Sequence, residues 1–193
     1  MKTTFNWLAI FAAAVQLLGG PARADTTFWT PREFLADAFR TSKRVSFREI
    51  SIGTAERARI EQRLGYRLAH DHYTVFIANS DDRVDGYALF DDELGQHMPI
   101  TFAVTISPAG AAVRQEIIAY REPRGDEVRD ERFRRQFVGK TTRDPFSLGQ
   151  DIAAVSGATI SSRAMAIGVR RALVLVEELL IKPVQAASTT ARR

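Results

Sequence analysis

The chain contains no cysteine. This absence excludes a c-type haem, a thiolate-held iron–sulfur cluster, a cysteine nucleophile and any disulfide, so the fold depends on its core alone. Histidine is also scarce, with three residues in the chain. His70 and His72 would share one face of a strand and could bind a metal, but no third ligand is evident. We therefore predict no metal site and interpret both histidines as surface residues.

The N-terminal apolar run, Phe5 to Leu18, is shorter than the roughly 20 residues that span a bilayer. Lys2 precedes it, and Ala22-Arg23-Ala24 places small residues at the two positions that a signal peptidase reads. We predict that residues 1–24 are a signal peptide cut before Asp25, and that the protein is periplasmic or otherwise extracytoplasmic. An uncleaved membrane anchor is the alternative.

Neither sign of charge dominates the chain, which has 27 Lys and Arg, 23 Asp and Glu and a net charge of +4. Lys2 and Arg23 belong to the predicted signal peptide, which contains no acid. Arginines and acids are interleaved through the rest of the sequence, a pattern typical of a solvated surface. The charge therefore indicates no nucleic-acid partner.

The first part of the mature chain has helix signals on either side of a short strand. Thr30-Pro31-Arg32-Glu33 combines a cap, a proline at the first helical position and a glutamate three residues after the cap, which predicts a helix to about Arg40. A strand is predicted over Val45 to Ile52. A second helix begins at Thr54 and ends at Gly65.

From Tyr73 onwards the sequence alternates as strands do. The predicted strands are Tyr73–Ala78, Val84–Phe90, Ile100–Ile106 and Val113–Tyr120. A turn over Asn79–Asp82 and a polar loop over Asp91–Gly95 separate the first three. These short links predict an antiparallel, meandering sheet.

The C-terminal half adds helices to this sheet. Glu122 to Lys140 is charged and partly helical, with Phe133 and Phe137 spaced to dock it. A long helix is predicted from about Ser161 to Ile181, ended by Pro183. The sequence thus indicates one α+β domain with flanking helices. We divide it into an N-terminal helical part (25–69), a core (70–183) and a disordered tail (184–193).

A run of hydroxyl residues, Val155 to Ser162, lies directly before the long helix. Gly157 and Ala158 allow close approach to the backbone, and the first amides of the helix have no helical partners. The helix dipole favours negative charge there. From these residues alone, both a Ser/Thr helix cap and a phosphate site are open. The hydroxyls in question are those of Ser156, Thr159, Ser161 and Ser162.

The stretch Ser156-Gly157-Ala158-Thr159-Ile160-Ser161-Ser162 resembles the signature of the FMN-binding domain family. That family includes the peripheral flavin subunits of the Rnf and sodium-pumping NADH:quinone oxidoreductase complexes. In those relatives a flavin transferase, with FAD as donor, joins FMN to the threonine through a phosphoester. The resemblance implies that Thr159 is the acceptor and that Ser156, Gly157 and Ala158 shape the loop around the phosphate. It also implies Ser161 and Ser162 as further contacts.

Three weaker matches accompany this signature: Gly86-Tyr87-Ala88, the turn from Tyr120 to Gly125, and the run from Phe133 to Lys140. Within them, Glu122 is a candidate to bind the flavin edge or orient the loop. Lys140 and Arg124 are candidates to neutralise phosphate or a flavin anion. Tyr87 could stack on the flavin ring. Alternatively, Glu122 is a surface acid, Lys140 and Arg124 are solvated charges, and Tyr87 is an aromatic residue of the core.

One departure from the family pattern stands three residues before Ser156. The relatives carry an aspartate there, whereas this chain has Ala153, and the nearest acid is Asp151. FMN held without a covalent bond is therefore one alternative, and a binding module for another anion is a second. No Ser-His-Asp set or carboxylate pair indicates a separate catalytic site. The sequence thus predicts an exported FMN-carrying electron-transfer protein with a membrane or periplasmic redox partner, rather than a self-contained enzyme.

Overall fold

A computed structural model describes residues 26–184. The predicted signal peptide (1–24) and nearly all of the predicted tail lie outside the described residues. The strands are β1 (Thr26–Thr27), β2 (Arg44–Ser51), β3 (His72–Ser80), β4 (Arg83–Leu94), β5 (Pro99–Ile106) and β6 (Ala112–Tyr120). The α-helices are α1 (Pro31–Ala38), α2 (Thr54–Leu64), α3 (Glu131–Arg134) and α4 (Thr159–Val176). Short 3₁₀ turns flank α3, at Asp126–Arg129 and Arg135–Phe137.

The described strands form one sheet in the order β1-β6-β5-β4-β3-β2. Every pairing in it is antiparallel, and β2 to β6 follow one another in space as they do along the chain. The predicted α+β class and the meandering sheet are therefore confirmed. β1, which pairs with the end of β6, was not predicted.

Both N-terminal helices begin where predicted, and α1 ends at Ala38, two residues before its predicted end. Thr30 caps α1, and its side chain and that of Glu33 bond each other's backbone in a capping box. Gly65 caps the C-terminal end of α2 as predicted, and its φ of 83° is in the left-handed region that glycine favours. α1 packs Phe34 and Leu35 onto one face of the sheet, while α2 and α4 contribute to the larger core on the other face.

The predicted polar loop at Asp91–Gly95 is wrong, because β4 continues through Leu94 and pairs with β5. These acidic residues are in a strand because they have a buried partner. The guanidinium of Arg171 on α4 donates to the Asp91 carboxylate at 2.7 Å and also contacts that of Glu93. The β3–β4 turn is likewise shorter than predicted, since β3 runs to Ser80.

Helix α4 begins at Thr159, two residues before its predicted start. After Val176 it passes through a π-helical turn, Glu177–Ile181, and remains helical to Val184, so Pro183 does not end it. One face of this helix packs into the core, where its residues are buried: Met165, Val169, Ala172, Leu173, Val176 and Leu180. Within residues 26–184, no helix is both long and apolar enough to cross a bilayer.

Candidate functional site

The Ser/Thr loop is a tight turn that leads directly into α4. The amide of Ala158 donates to the carbonyl of Val155 at 3.0 Å. Gly157, inside this turn, has a φ of 80°, a conformation that a residue with a side chain rarely adopts. Ser156 and Gly157 are exposed, whereas Ala158 is buried. The loop therefore presents its first two residues to solvent and anchors its third.

Thr159 is the first residue of α4 and is exposed. Its hydroxyl makes no hydrogen bond to any residue between 26 and 184, and the preceding Ala158 supplies no side-chain cap. The first amides of a helix have no helical acceptor, and the helix dipole favours an anion beside them. Thr159 thus offers a free hydroxyl at a position suited to a phosphate group.

Ser161 and Ser162 lie on the inner side of the same turn and are buried. The Ser161 hydroxyl is 2.8 Å from the phenol oxygen of Tyr120. The Ser162 hydroxyl donates to the carbonyl of Ala158 at 2.8 Å and accepts the amide of Val155 at 3.1 Å. Both predicted ligands therefore bind the protein itself, and they hold the loop on which Thr159 is displayed.

Glu122 binds the turn between β4 and β5. Its carboxylate accepts the amide of Met98 at 2.9 Å and also that of His97. Burial raises the pKa of Glu122, but these amides favour its charged form more strongly, so the net pKa lies below its usual value. Glu122 thus orients a loop, although the loop is 95–98 and not the Ser/Thr loop.

Lys140 is not brought to the Ser/Thr loop. Its ammonium lies 2.8 Å from the carboxylate of Asp151. Nearby Thr142 donates to Glu177 at 2.5 Å, close to the C-terminal end of the long helix. At about 1.5 Å per residue, Glu177 lies roughly 27 Å along the helix from Thr159. The backbone near Lys140 is therefore closer to the far end of α4 than to Thr159, and the contact that the structure gives the Lys140 ammonium is with Asp151.

The remaining candidates divide between core and surface. Tyr87 is buried in the main core cluster, which agrees with its interpretation as a core aromatic. Arg124 is exposed in the turn that packs under the start of α4, so it is close to the loop. His70 precedes β3 and His72 begins it. The two histidines therefore do not share one face of a strand, contrary to the prediction. The described residues contain no His, Asp or Glu cluster suited to a metal.

Two residues that position the loop were missed from the sequence. Tyr120 contacts Ser161 from the end of β6. Gln136 bonds both backbone groups of Ala153, accepting its amide at 2.7 Å and donating to its carbonyl at 3.1 Å. Neither has a local signal, because each acts on a segment distant in sequence.

Comparison with known proteins agrees with this geometry. Residues 95–174 match the family model described as the FMN-binding domain, a range that includes the Ser/Thr loop and most of α4. This part of the chain is an FMN-binding domain. Its cofactor is accordingly FMN, and the free hydroxyl and free amides at Thr159 fit the phosphate of that group.

A solved structure shares the fold. The chain is similar to the crystal structure of Shewanella oneidensis NqrC, with a TM-score of 0.56 and 16% sequence identity, over 82% of this chain and 90% of that one. At this identity the likeness shows a common fold. No curated protein matches the chain.

Proposed function

We propose that this protein is an exported electron-transfer flavoprotein in which a phosphoester joins FMN to Thr159. One observation carries the proposal. Within the FMN-binding domain, Thr159 presents an exposed, unpartnered hydroxyl at the N-terminus of α4. The neighbouring hydroxyls of Ser161 and Ser162 are buried, which favours Thr159 as the acceptor.

Attachment requires a group-transfer step, for which the family resemblance suggests FAD as donor and a flavin transferase as catalyst. The Thr159 oxygen attacks the phosphorus on the FMN side of the FAD pyrophosphate. The bond from that phosphorus to the bridging oxygen breaks, AMP leaves with the bridging oxygen, and the hydroxyl proton is released. The resulting diester keeps one negative charge, which the amides and dipole of α4 stabilise.

The function of the loaded protein follows from its cofactor. Bound FMN supplies one-electron and two-electron redox chemistry. The residues of the chain hold that group at a fixed site outside the cytoplasm, where a covalent bond prevents its loss. The resemblance to peripheral flavin subunits, together with the NqrC-like fold, supports a membrane oxidoreductase or a terminal reductase as the redox partner.

A second candidate, non-covalent binding of FMN, is favoured by one feature of the loop. The position where relatives carry an aspartate is Ala153, which is exposed and has no charge. Asp151 does not replace it, because its carboxylate accepts the amide of Ser147 at 2.7 Å and pairs with Lys140. A transferase that requires an exposed acid here would leave Thr159 unmodified.

The absorbance of the purified protein separates these candidates. Protein from a host with a flavin transferase is denatured, desalted and scanned. We expect the flavin spectrum to remain with the polypeptide. A spectrum that is lost on denaturation would instead show non-covalent FMN, and protein that never carries flavin would contradict both candidates.

Export is tested separately by N-terminal sequencing of protein from the native host. We expect the mature chain to begin at Asp25. Membrane-bound protein that retains Met1 would mean that the apolar run is an anchor.

A further inference from the structure

We infer that Tyr120 and Ser161 are positioning residues for flavin attachment, acting through the orientation of the first turn of α4. The inference rests on the proposed covalent bond at Thr159 and adds residues that do not touch the cofactor. It starts from a buried pair of hydroxyls directly beneath the acceptor loop. Tyr120 is 4% exposed and Ser161 is 5% exposed.

The hydrogen bonds of this pair have a defined direction. The phenol oxygen of Tyr120 lies 2.7 Å from the carbonyl of Arg124, which can only accept. The single phenol hydrogen therefore points to Arg124, and the hydroxyl of Ser161 donates to Tyr120 across 2.8 Å. This chain of two hydrogen bonds ties the end of β6, the turn after it and the first turn of α4 into one unit.

Gly125 shows how closely these segments are packed. A Cβ added at this residue would lie 2.7 Å from the Tyr120 phenol oxygen and 2.8 Å from the Ser161 hydroxyl oxygen. Its φ of 93° also suits glycine alone. The turn thus contacts the start of α4 through bare backbone, which leaves the helix little freedom to shift.

The rotation of α4 about its axis connects this contact to Thr159. With 3.6 residues per turn, Thr159 and Ser161 point about 200° apart. Holding Ser161 inward therefore turns Thr159 outward, as its exposure shows. Loss of the Tyr120–Ser161 bond removes one of the contacts that fix the rotation of the first turn, so the Thr159 oxygen is less often aligned for attack on phosphorus.

The test measures the initial rate of FMN incorporation by purified transferase and FAD, over a range of acceptor protein concentrations. Tyr120→Phe removes one hydroxyl and keeps the ring. Tyr73→Phe is the matched control, since it removes the phenol hydroxyl of a buried tyrosine in β3. Thr159→Ala gives the background, and Ser161→Ala probes the same bond from the helix side should Tyr120→Phe not fold.

We expect Tyr120→Phe and Ser161→Ala each to lower kcat by on the order of tenfold, with little change in KM. The double variant should be no slower than Tyr120→Phe, because that variant already removes the bond that Ser161→Ala removes. Tyr73→Phe should keep the wild-type rate. Each variant should melt at a temperature close to that of the wild type, which shows that a lower rate does not come from unfolded protein.

Three outcomes would overturn the inference: a wild-type kcat in Tyr120→Phe and Ser161→Ala, additive losses in the double variant, or an equal loss in Tyr73→Phe. Each leaves the proposed function intact, provided that the wild type is labelled and Thr159→Ala is not. If the wild type itself takes up no FMN, the proposed function fails instead.

Discussion

The carboxylate of Asp151 lies 2.8 Å from the ammonium of Lys140, and the two side chains are only 17% and 13% exposed. The same carboxylate accepts the amides of Phe146 and Ser147, at 3.2 and 2.7 Å. Asp151 thus fixes the segment that leads to the Ser/Thr loop. It serves the internal structure of the domain, and Lys140 is its counterion.

Asp151→Asn should destabilise the protein by about 1–3 kcal/mol at pH 7, because it replaces a charged acceptor in this network. Burial raises the pKa of Asp151, but Lys140 and the two amides outweigh it, and the net pKa is lowered. A lowered pKa stabilises the fold above the unfolded-state pKa of about 3.9, and this contribution disappears as the pH falls through the folded-state value. The difference in the free energy of unfolding between Asp151→Asn and the wild type should therefore become smaller in acid.

Urea melts of both proteins at neutral pH and at about pH 3 measure this effect. Asp82→Asn, at an exposed turn position, is the control and should be nearly neutral at both pH values. If Asp151→Asn loses as much stability at about pH 3 as at neutral pH, the charge of Asp151 does not stabilise the fold.

Arg171→Met should destabilise the protein by about 3–5 kcal/mol, because it leaves the carboxylates of Asp91 and Glu93 without their buried cation. Arg163→Met is the matched control on an exposed position of the same helix and should change stability by less than about 0.5 kcal/mol. Equal melting curves for the two variants would mean that the pairing of Arg171 with Asp91 and Glu93 does not stabilise the fold.

The cluster of Arg171, Asp91 and Glu93 is a part of the fold that could not be predicted from the sequence. The helix caps and the alternating strands have local signals, and they predicted α1, α2 and the meander. The acids that end β4 resemble a loop when read locally, because their partner, Arg171, is 80 residues from Asp91. Long-range pairing of this kind reverses a local preference for turns.

The candidate site follows the same division. The motif at Ser156–Ser162 predicted Thr159 and its loop, and the family match covers that region. The inward orientation of Ser161 could not be predicted, because it depends on Tyr120, 41 residues away. Lys140 matched the family pattern in sequence, yet its ammonium pairs with Asp151 in the structure.

Ala153→Asp should increase covalent FMN loading if recognition by the transferase limits it. Ala153 is exposed, and Gln136 holds its backbone on both sides, so a carboxylate can be added without repacking the core. Ala154→Asp, at the next exposed position, is the control for added charge alone. The flavin-to-protein ratio after brief exposure to transferase is the readout. An equal increase in FMN loading in both variants would mean that added negative charge raises the loading at either position, and that the transferase does not recognise residue 153 itself.

The most direct test of the central claim is the intact mass of the protein after co-expression with a flavin transferase. The wild type should carry the added mass of one FMN, and Thr159→Ala should carry none, since it lacks the hydroxyl that forms the ester. Ser156→Ala is the control within the same loop and should retain most of the loading, because it removes at most a hydrogen bond. If Thr159→Ala still carries the FMN mass, the central assignment of Thr159 as the acceptor is contradicted.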